Sequence, residues 1–380
     1  MTRITRIRIT PLRVPYVAPI SISVGTISEA RNVIVRLCTN DNLEGVGEAS
    51  PFIFEYTKET QGSIVEFLRQ ISPLLLQQSP FNIESIHKMM DEVPGNTCAK
   101  SAIDIALHDL MGKILGVPVY QLIGGKVREK IPLWYAVTWD RGLDRMAQEA
   151  EQWVSRGFKG IMVKIGNGIK EDEEALKLVR DRVGAHVPII ADPNQAYSTS
   201  EAIRLANTIA PYINALEGPV KGSNISGLKR VKDLNIVPVI ADESLFSPQE
   251  AVNLVRKKAA DMFLIKLLKV GGFYKARQIF SIAQAAGIRC CAASMTNLGI
   301  GHLANLHFAT AFDLFDGFGF GFENLLQIFG TEEAVRERDV CETPPLQSGH
   351  FEVPVGAGLG VVLNEKRIKG YALEEIVYCS

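Results

Sequence analysis

The sequence predicts an α/β protein in which a β/α barrel follows an N-terminal α+β unit. Three observations carry this reading. From about Leu133 short apolar runs alternate with segments of helical period, acidic residues recur at a nearly constant interval at the ends of those runs, and the first hundred residues lack that alternation.

In the N-terminal unit, "RIRITPLRVP" alternates Arg6, Ile7, Arg8, Ile9, Thr10 as a half-buried strand does. The basic start "MTRITRIRITPL" has no apolar core of the kind a targeting peptide carries, so it reads as structure. "NVIVRLCT" is a second strand, and "NLEGVGEAS" turns and pairs back on it. "IVEFLRQISPLLL" and "CAKSAIDIALHDLMGKILG" have helical periodicity. Gly124 and Gly125 mark the boundary, giving a domain over 1–126.

Eight strand windows follow: "LWYAVT", "GIMVKIG", "VPIIAD", "INALEG", "VPVIAD", "MFLIK", "IRCCAAS" and "DLFDGFG". They place a barrel over 127–330. The remaining segment, 331–380, contains the strand-and-glycine stretch "FEVPVGAGLGVVLNEK" and is expected to pack back on the first domain.

Composition narrows the function classes. With 380 residues, 47% of them hydrophobic, the chain can bury a large core. Its 41 Lys+Arg against 42 Asp+Glu give no electrostatic case for nucleic acid or an acidic membrane, and no apolar run is long enough to cross a bilayer. A small molecule is the expected partner. Six cysteines, at 38, 98, 290, 291, 341 and 379, show no metal-ligand spacing and read as reduced thiols of a cytoplasmic protein.

The chemistry lies at the strand ends. Asp192 to Glu217 is 25 residues, Glu217 to Asp242 is 25, and Asp242 to Lys266 is 24. Each acid taken singly would be an ordinary helix cap. In register on consecutive βα units, they converge at the C-terminal mouth of a barrel, where barrel enzymes keep their sites. Three carboxylates together require a cation, and all-oxygen ligands suit Mg²⁺, with Mn²⁺ as the alternative. Lys266 interrupts the run "DMFLIKLLKVGG", and Lys164 ends "GIMVKIG" on the opposite side of the ring. A lone strand-end lysine reads as a snorkelling side chain. Two opposed across a metal site read as general bases whose pKa is lowered by burial and by the cation.

The stretches "LEGVGEASP", "AIDIALHDLMGKILGVPVYQLIGG", "VKIG", "DPNQAYS", "LEGP", "ADES", "IKLLKVGG" and "VPVGAGLGV", in this order, resemble the enolase superfamily. Within it, the chain is most similar to the muconate lactonizing enzyme subgroup of the mandelate racemase/muconate lactonizing enzyme family. The resemblance implies a modified TIM barrel, (β/α)7β, with an N-terminal capping domain, and a symmetric homo-oligomer. It also implies that Asp192, Glu217 and Asp242 ligate Mg²⁺, that Lys164 and Lys266 are the acid/base pair, and that Asn194 and Glu243 hold the ligands and tune their charge. Specificity in such relatives sits in capping-domain loops, here "VPYVAPISISVGTIS" and "ASPFIFEYTKE". Tyr16, Ile20, Phe52, Phe54 and Tyr56 would offer an apolar or ring-binding wall. Glu55 reads as solvated.

The sequence also departs from the family pattern. The first lysine of the Lys-x-Lys motif is Met162, which is expected to alter the pKa or position of Lys164. The seventh strand, "CCAASM", has no histidine, so a mandelate-racemase arrangement is disfavoured. His108, His302 and His307 read as structural. At the eighth strand end Gly321, Phe322 and Glu323 stand where dipeptide epimerases carry an Asp-x-Asp pair, and Phe320 and Phe322 would form a further apolar wall. Met162, Ser294 and Thr296 complete the expected substrate contacts at the mouth.

The leading expectation is a Mg²⁺-dependent racemase or epimerase that removes the α-proton of a small carboxylate, such as an amino-acid derivative, through an enediolate. Cycloisomerisation of the muconate type and dehydration of the o-succinylbenzoate synthase or hydroxy-acid type use the same site. A non-catalytic ligand-binding barrel is the reading from another class.

Overall fold

The computed structural model describes residues 2–139, 142–314 and 322–380, without the side chains of 322–324. Five strands open the chain: β1 (Ile4–Pro11), β2 (Val14–Ile22), β3 (Gly25–Ala30), β4 (Val33–Thr39) and β5 (Glu44–Ala49). In β1 the alternation resolves as read, with Ile4, Ile7 and Ile9 buried and Arg6 exposed. β1, β4 and β5 pair antiparallel. The stretch 14–28, expected as a loop, lies instead in a hairpin of β2 and β3, with Ile20 opposite Ile27. "ASPFIFEYTKE" contains one helical turn, Phe54–Thr57.

The helix Thr97–Leu115 lies directly against β5, and glycine makes that possible. A Cβ on Gly47 would sit 2.0 Å from the Ala102 carbonyl oxygen, and one on Gly45 2.2 Å from that of Ala106. Alternate glycines on one strand face therefore let helix and strand backbones touch. This helix is buried around nearly its whole circumference because it lies between the capping sheet and the barrel.

The strands continue with β6 (Lys130–Pro132), β7 (Trp134–Val137), β8 (Gly160–Lys164), β9 (Ile189–Asp192), β10 (Ala215–Glu217), β11 (Val239–Ala241), β12 (Met262–Ile265) and β13 (Arg289–Ala292). β7 to β13 form one parallel sheet in sequential order, each followed by helix, which gives the seven β/α units of a modified (β/α)7β barrel. The eighth window, "DLFDGFG", runs out of the described residues after Leu314. β14 (His350–Glu352) pairs with β6, and β15 (Ile376–Cys379) pairs antiparallel with β1 at the edge of the first sheet.

Alternation along the parallel strands sorts the barrel into two shells. Trp134, Met162, Ile190, Ala215, Ile240, Met262, Leu264, Cys291 and Ala293 form an apolar cluster of their own inside the ring. Their neighbours Val163, Ala191, Leu216, Ala241, Phe263 and Ile265 join the larger core under the helices. Among the described residues no helix is long and apolar enough to cross a membrane. The cysteines are unpaired, five buried and Cys379 exposed.

Asp104 ties the capping domain to the barrel. It is fully buried, and its carboxylate lies 2.7 Å from His87 Nε2 and 3.3 Å from His108 Nδ1 while accepting the Phe273 N–H at 2.5 Å. His108 is thus a packing and charge partner, its ring against Phe273. Burial alone would raise the Asp104 pKa, but His108 and His87 outweigh it and hold the carboxyl well below the usual range. Burial lowers the pKa of His108, and Asp104 more than restores it, for a net rise.

A depressed carboxylate stabilises the fold above its unfolded pKa, and that stabilisation is lost as pH falls. A raised histidine stabilises below its unfolded pKa, and its contribution is lost as pH climbs through the raised value. Asp104→Asn should therefore cost about 3 kcal/mol near neutral pH. Thermal melts from pH 3 to 9 should show the gap from wild type narrowing at acid pH; a gap constant over that range would refute the assignment.

Candidate active site

The charged residues occupy the positions just beyond the apolar interior. On four strands the inward series runs from an apolar residue to a charged one two places on: Met162 to Lys164, Ile190 to Asp192, Ala215 to Glu217, Ile240 to Asp242. Lys164 stands opposite Asp192 in the β8/β9 register. β12 ends at Ile265, and Lys266 is extended, with φ −120°, at the head of the one-turn helix Leu267–Val270. The lysine that broke an apolar run is therefore the residue at which the strand stops.

Local turns fix the carboxylates. Asn194 takes a left-handed backbone, φ 43°, and its N–H returns to Asp192 Oδ1 at 2.8 Å. The Asn194 side-chain amide donates to Glu243 Oε1 at 3.2 Å. Gly218, also left-handed at φ 45°, admits the Glu243 carboxylate, since a Cβ there would sit 2.3 Å from Glu243 Oε2. Asn194 and Glu243 thus bridge the ends of β9, β10 and β11.

Lysines serve as counter-charges within the cluster. Lys164 Nζ donates to Asp192 Oδ2 at 2.5 Å. Lys266 Nζ donates to Asp242 Oδ2 at 2.7 Å and to the Tyr56 hydroxyl at 2.8 Å, and that hydroxyl donates to the same Asp242 oxygen at 2.7 Å. Lys269 donates to Asp242 Oδ1 at 2.6 Å. Among the described residues, neither oxygen of the fully buried Glu217 has a hydrogen-bond partner.

These contacts set the proton affinities. Burial, with Asp192 and Asp242 adding to it, pushes Glu217 well above the usual carboxylate range. Burial and Asp242 push Glu243 up to about 8. Asp242 is held low because Lys266 and Lys269 outweigh its burial. The lowered pKa expected for Lys266 requires the cation as well as burial. Burial does lower it, but Asp242 and Glu217 more than reverse that, so Lys266 is raised, as is Lys164 by Asp192 and Glu217. Met162, in place of a second lysine, leaves Lys164 paired to Asp192 and contributes an apolar wall.

Among the described residues no three acidic, histidine or cysteine side chains stand ready-made as a cation cage, because Asp192 and Asp242 are drawn to lysines. The residues nonetheless fit the expected metal. Asp192, Glu217 and Asp242 supply only oxygen donors, which suits Mg²⁺ or Mn²⁺, and the orphaned Glu217 carboxyl is the group a cation would satisfy.

A cavity opens over this cluster. Lys164, Glu217 and Lys266 lie among its lining residues, with Asn194 and Tyr56. Ile20, Ile22, Ile27 and Phe52 come from the capping domain, and Trp134, Met162, Met295, Ser294 and Thr296 from the barrel. Of the expected substrate contacts, Ile20, Phe52, Tyr56, Met162, Ser294 and Thr296 are brought together here. Two are not. Phe54 points outward, 53% exposed beneath the Lys58 ammonium, because it starts the helical turn that aims Tyr56 inward. Tyr16 is absent from the lining, with its hydroxyl buried and its pKa raised by burial. Phe320 lies outside the described residues, as do the side chains of Phe322 and Glu323.

Two functional groups escaped the sequence reading. Lys269 was visible only as the second lysine of "IKLLK", and the Tyr56 hydroxyl as part of an aromatic loop. Their shared partner, Asp242, is 27 residues away from one and 186 from the other.

Residues 4–124 match the model for the mandelate racemase/muconate lactonizing enzyme N-terminal domain, and residues 145–367 the model described as enolase C-terminal domain-like. The hydrophobic dipeptide epimerase of Enterococcus faecalis is 36% identical over 312 residues, covering 80% of this chain and 86% of that one. The crystal structure of the N-succinyl Arg/Lys racemase from Bacillus cereus superposes with a TM-score of 0.91 at 30% identity, covering 99% of this chain and 100% of that one. The muconate lactonizing enzyme from Pseudomonas fluorescens, complexed with muconolactone, gives 0.90 at 30% identity, covering 98% and 100%.

Mg²⁺ should raise the melting temperature of the wild type, by the equivalent of about 2.7 kcal/mol at a hundredfold excess over its Kd. Glu217→Gln should abolish that rise. A Mg²⁺-dependent shift of wild-type size in the variant would remove Glu217 from the metal site.

Proposed function

The chain belongs to the mandelate racemase/muconate lactonizing enzyme family of the enolase superfamily, and from that premise we propose that it racemises or epimerises an α-substituted carboxylate by two-base proton transfer between Lys164 and Lys266. It is an isomerase of that superfamily. The observation that carries the mechanism is that both lysines line one cavity from strand ends β8 and β12, with three strands and Glu217 between them.

In this reading Asp192, Glu217 and Asp242 hold Mg²⁺, which when bound offsets the charge that builds on the substrate carboxylate as its α-proton leaves. The chain's own residues do the rest. Lys266, entered as the free amine, takes the proton from one face of the α-carbon, and the Lys164 ammonium returns one to the other. For the opposite enantiomer the roles exchange. Asp242 and Tyr56 hold Lys266 in place, and Asp192 holds Lys164. Asn194 and Glu243 brace the strand ends.

The substrate's substituent is apolar or uncharged, such as the side chain or acyl group of an amino-acid derivative. The cavity wall above the lysines supports this, since Ile20, Ile22, Ile27, Phe52, Trp134, Met162 and Met295 dominate it. The name of the similar hydrophobic dipeptide epimerase points the same way. Likeness to a muconate lactonizing enzyme keeps cycloisomerisation as the second reading, in which one lysine delivers the proton and the other stabilises charge. We place the protein in the cytoplasm, as its unpaired cysteines suggest, and as a homo-oligomer, as the family resemblance implies.

The test is NMR of solvent deuterium entry at the α-carbon, in D₂O with Mg²⁺, across N-acylamino acids, dipeptides, hydroxy acids and muconates. Exchange with stereochemical inversion, stopped by chelation, is the expected outcome; lactone formation without α-exchange would establish the second reading instead. Lys164→Ala and Lys266→Ala should each lower racemisation about 10³-fold. Each variant should still exchange the enantiomer whose α-proton faces the surviving lysine. Wild-type racemisation in either variant would end the two-base mechanism.

A further inference from the structure

Lys269 is wholly shielded from solvent, yet it lies beside the reactive cluster and has no part in the two-base reaction. It stands three residues after Lys266 on the single turn Leu267–Val270, whose geometry carries its side chain back towards the strand ends. Its ammonium donates to Asp242 Oδ1 at 2.6 Å, to the Asp242 carbonyl oxygen at 2.7 Å and to the Leu264 carbonyl oxygen at 3.2 Å. Those three acceptors match the three N–H donors of an ammonium group. The Phe246 ring lies 5.3 Å from Nζ and covers it.

Lys269 is absent from the cavity lining, so a substrate held there touches Lys266 and not Lys269. Two lysines thus divide one carboxylate. Lys266, exposed to the cavity, takes Oδ2 in company with Tyr56, whereas Lys269, sealed in protein, takes Oδ1. Because Lys269 grips both the side chain and the backbone of Asp242, it closes a ring through that residue and fixes its torsions. The bond to Leu264 ties the same ammonium to β12, so the end of β11 is also held against its neighbour.

We propose that Lys269 is a positioning residue that presents Asp242 to the divalent cation in one fixed orientation, independently of what Lys266 does during turnover. The inference rests on Asp242 being a metal ligand. Loss of an outer partner of a metal-ligating side chain typically weakens metal binding about 10- to 100-fold, and that is the effect expected here.

The experiment is calorimetric titration of metal-stripped protein with Mn²⁺, on the wild type, Lys269→Met and Lys269→Gln, with melting temperatures recorded alongside. Lys269→Met keeps the bulk of the side chain and removes all three donors. It should bind Mn²⁺ about 10- to 100-fold more weakly, and Lys269→Gln, which keeps an N–H donor group, should recover part of the loss. With the substrate found by deuterium exchange, kcat should fall while KM moves less than about threefold, since Lys269 acts through Asp242 and not on the substrate.

A folded Lys269→Met protein whose Mn²⁺ affinity stays within about twofold of wild type would overturn the inference, however far its melting temperature falls, because the lysine would then be structural alone. If Lys269→Met does not fold, Lys269→Gln decides by the same threshold, and failure of both to fold would also assign a structural role. A wild type that binds no Mn²⁺ would instead overturn the reading of Asp242 as a ligand, and this inference with it.

Discussion

A parallel strand buried on both faces can carry charge only at its end, and the site follows from that constraint. Inside the ring, apolar side chains from Trp134 to Ala293 fill the space up to one layer, and the next inward position on β8, β9 and β10 is Lys164, Asp192 and Glu217. Strand period fixes the two-residue step from oil to charge, and barrel closure brings those steps together. Asp242 and Lys266 stand one residue past their strands, where the backbone is already turning.

Gathering charges this way is costly unless they compensate one another. Three lysines, 164, 266 and 269, meet four carboxyl groups, 192, 217, 242 and 243. The balance is uneven. Asp242 has a hydrogen-bond donor on each oxygen and is held ionised, while Glu217 has none on either and is pushed well above the normal range. A cation is the natural partner of the second kind of carboxylate, and the lysine-paired ones offer it an oriented edge.

The capping domain contributes more than a lid. Its Tyr56 hydroxyl enters the Lys266–Asp242 pair, its β2/β3 hairpin supplies Ile20, Ile22 and Ile27 to the cavity, and Ser50 and Asn32 bond Thr296 on the wall opposite. Glu48 reinforces this joint by accepting Asn32 and the N–H groups of Leu298 and Gly301 at the start of a barrel helix. Burial pushes Glu48 up to about 7 despite those bonds. The cavity is therefore a property of the docked pair of domains.

How much of this was legible in the sequence depends on how local each feature is. The 24- and 25-residue spacing of Asp192, Glu217, Asp242 and Lys266 is one βα unit per charge, so strand ends, barrel and charged cluster could be read from the chain alone. Met162 as an apolar neighbour of Lys164 was equally plain, because period two governs both. The hairpin 14–30 was missed because its register is disturbed between Pro15 and Ile20, which hides the alternation. Phe54 and Tyr56 looked equivalent in an aromatic loop, yet one helical turn sends the first to solvent and the second to Lys266. Lys269 was undecidable from sequence, since two of its three partners are backbone carbonyls that any residues could supply. The sequence by itself determined which strands exist and that they end in charge, since strand period and unit length are properties of neighbouring residues. Tertiary structure alone decided which ammonium meets which oxygen, because those contacts are set by how β11, β12 and the capping domain pack.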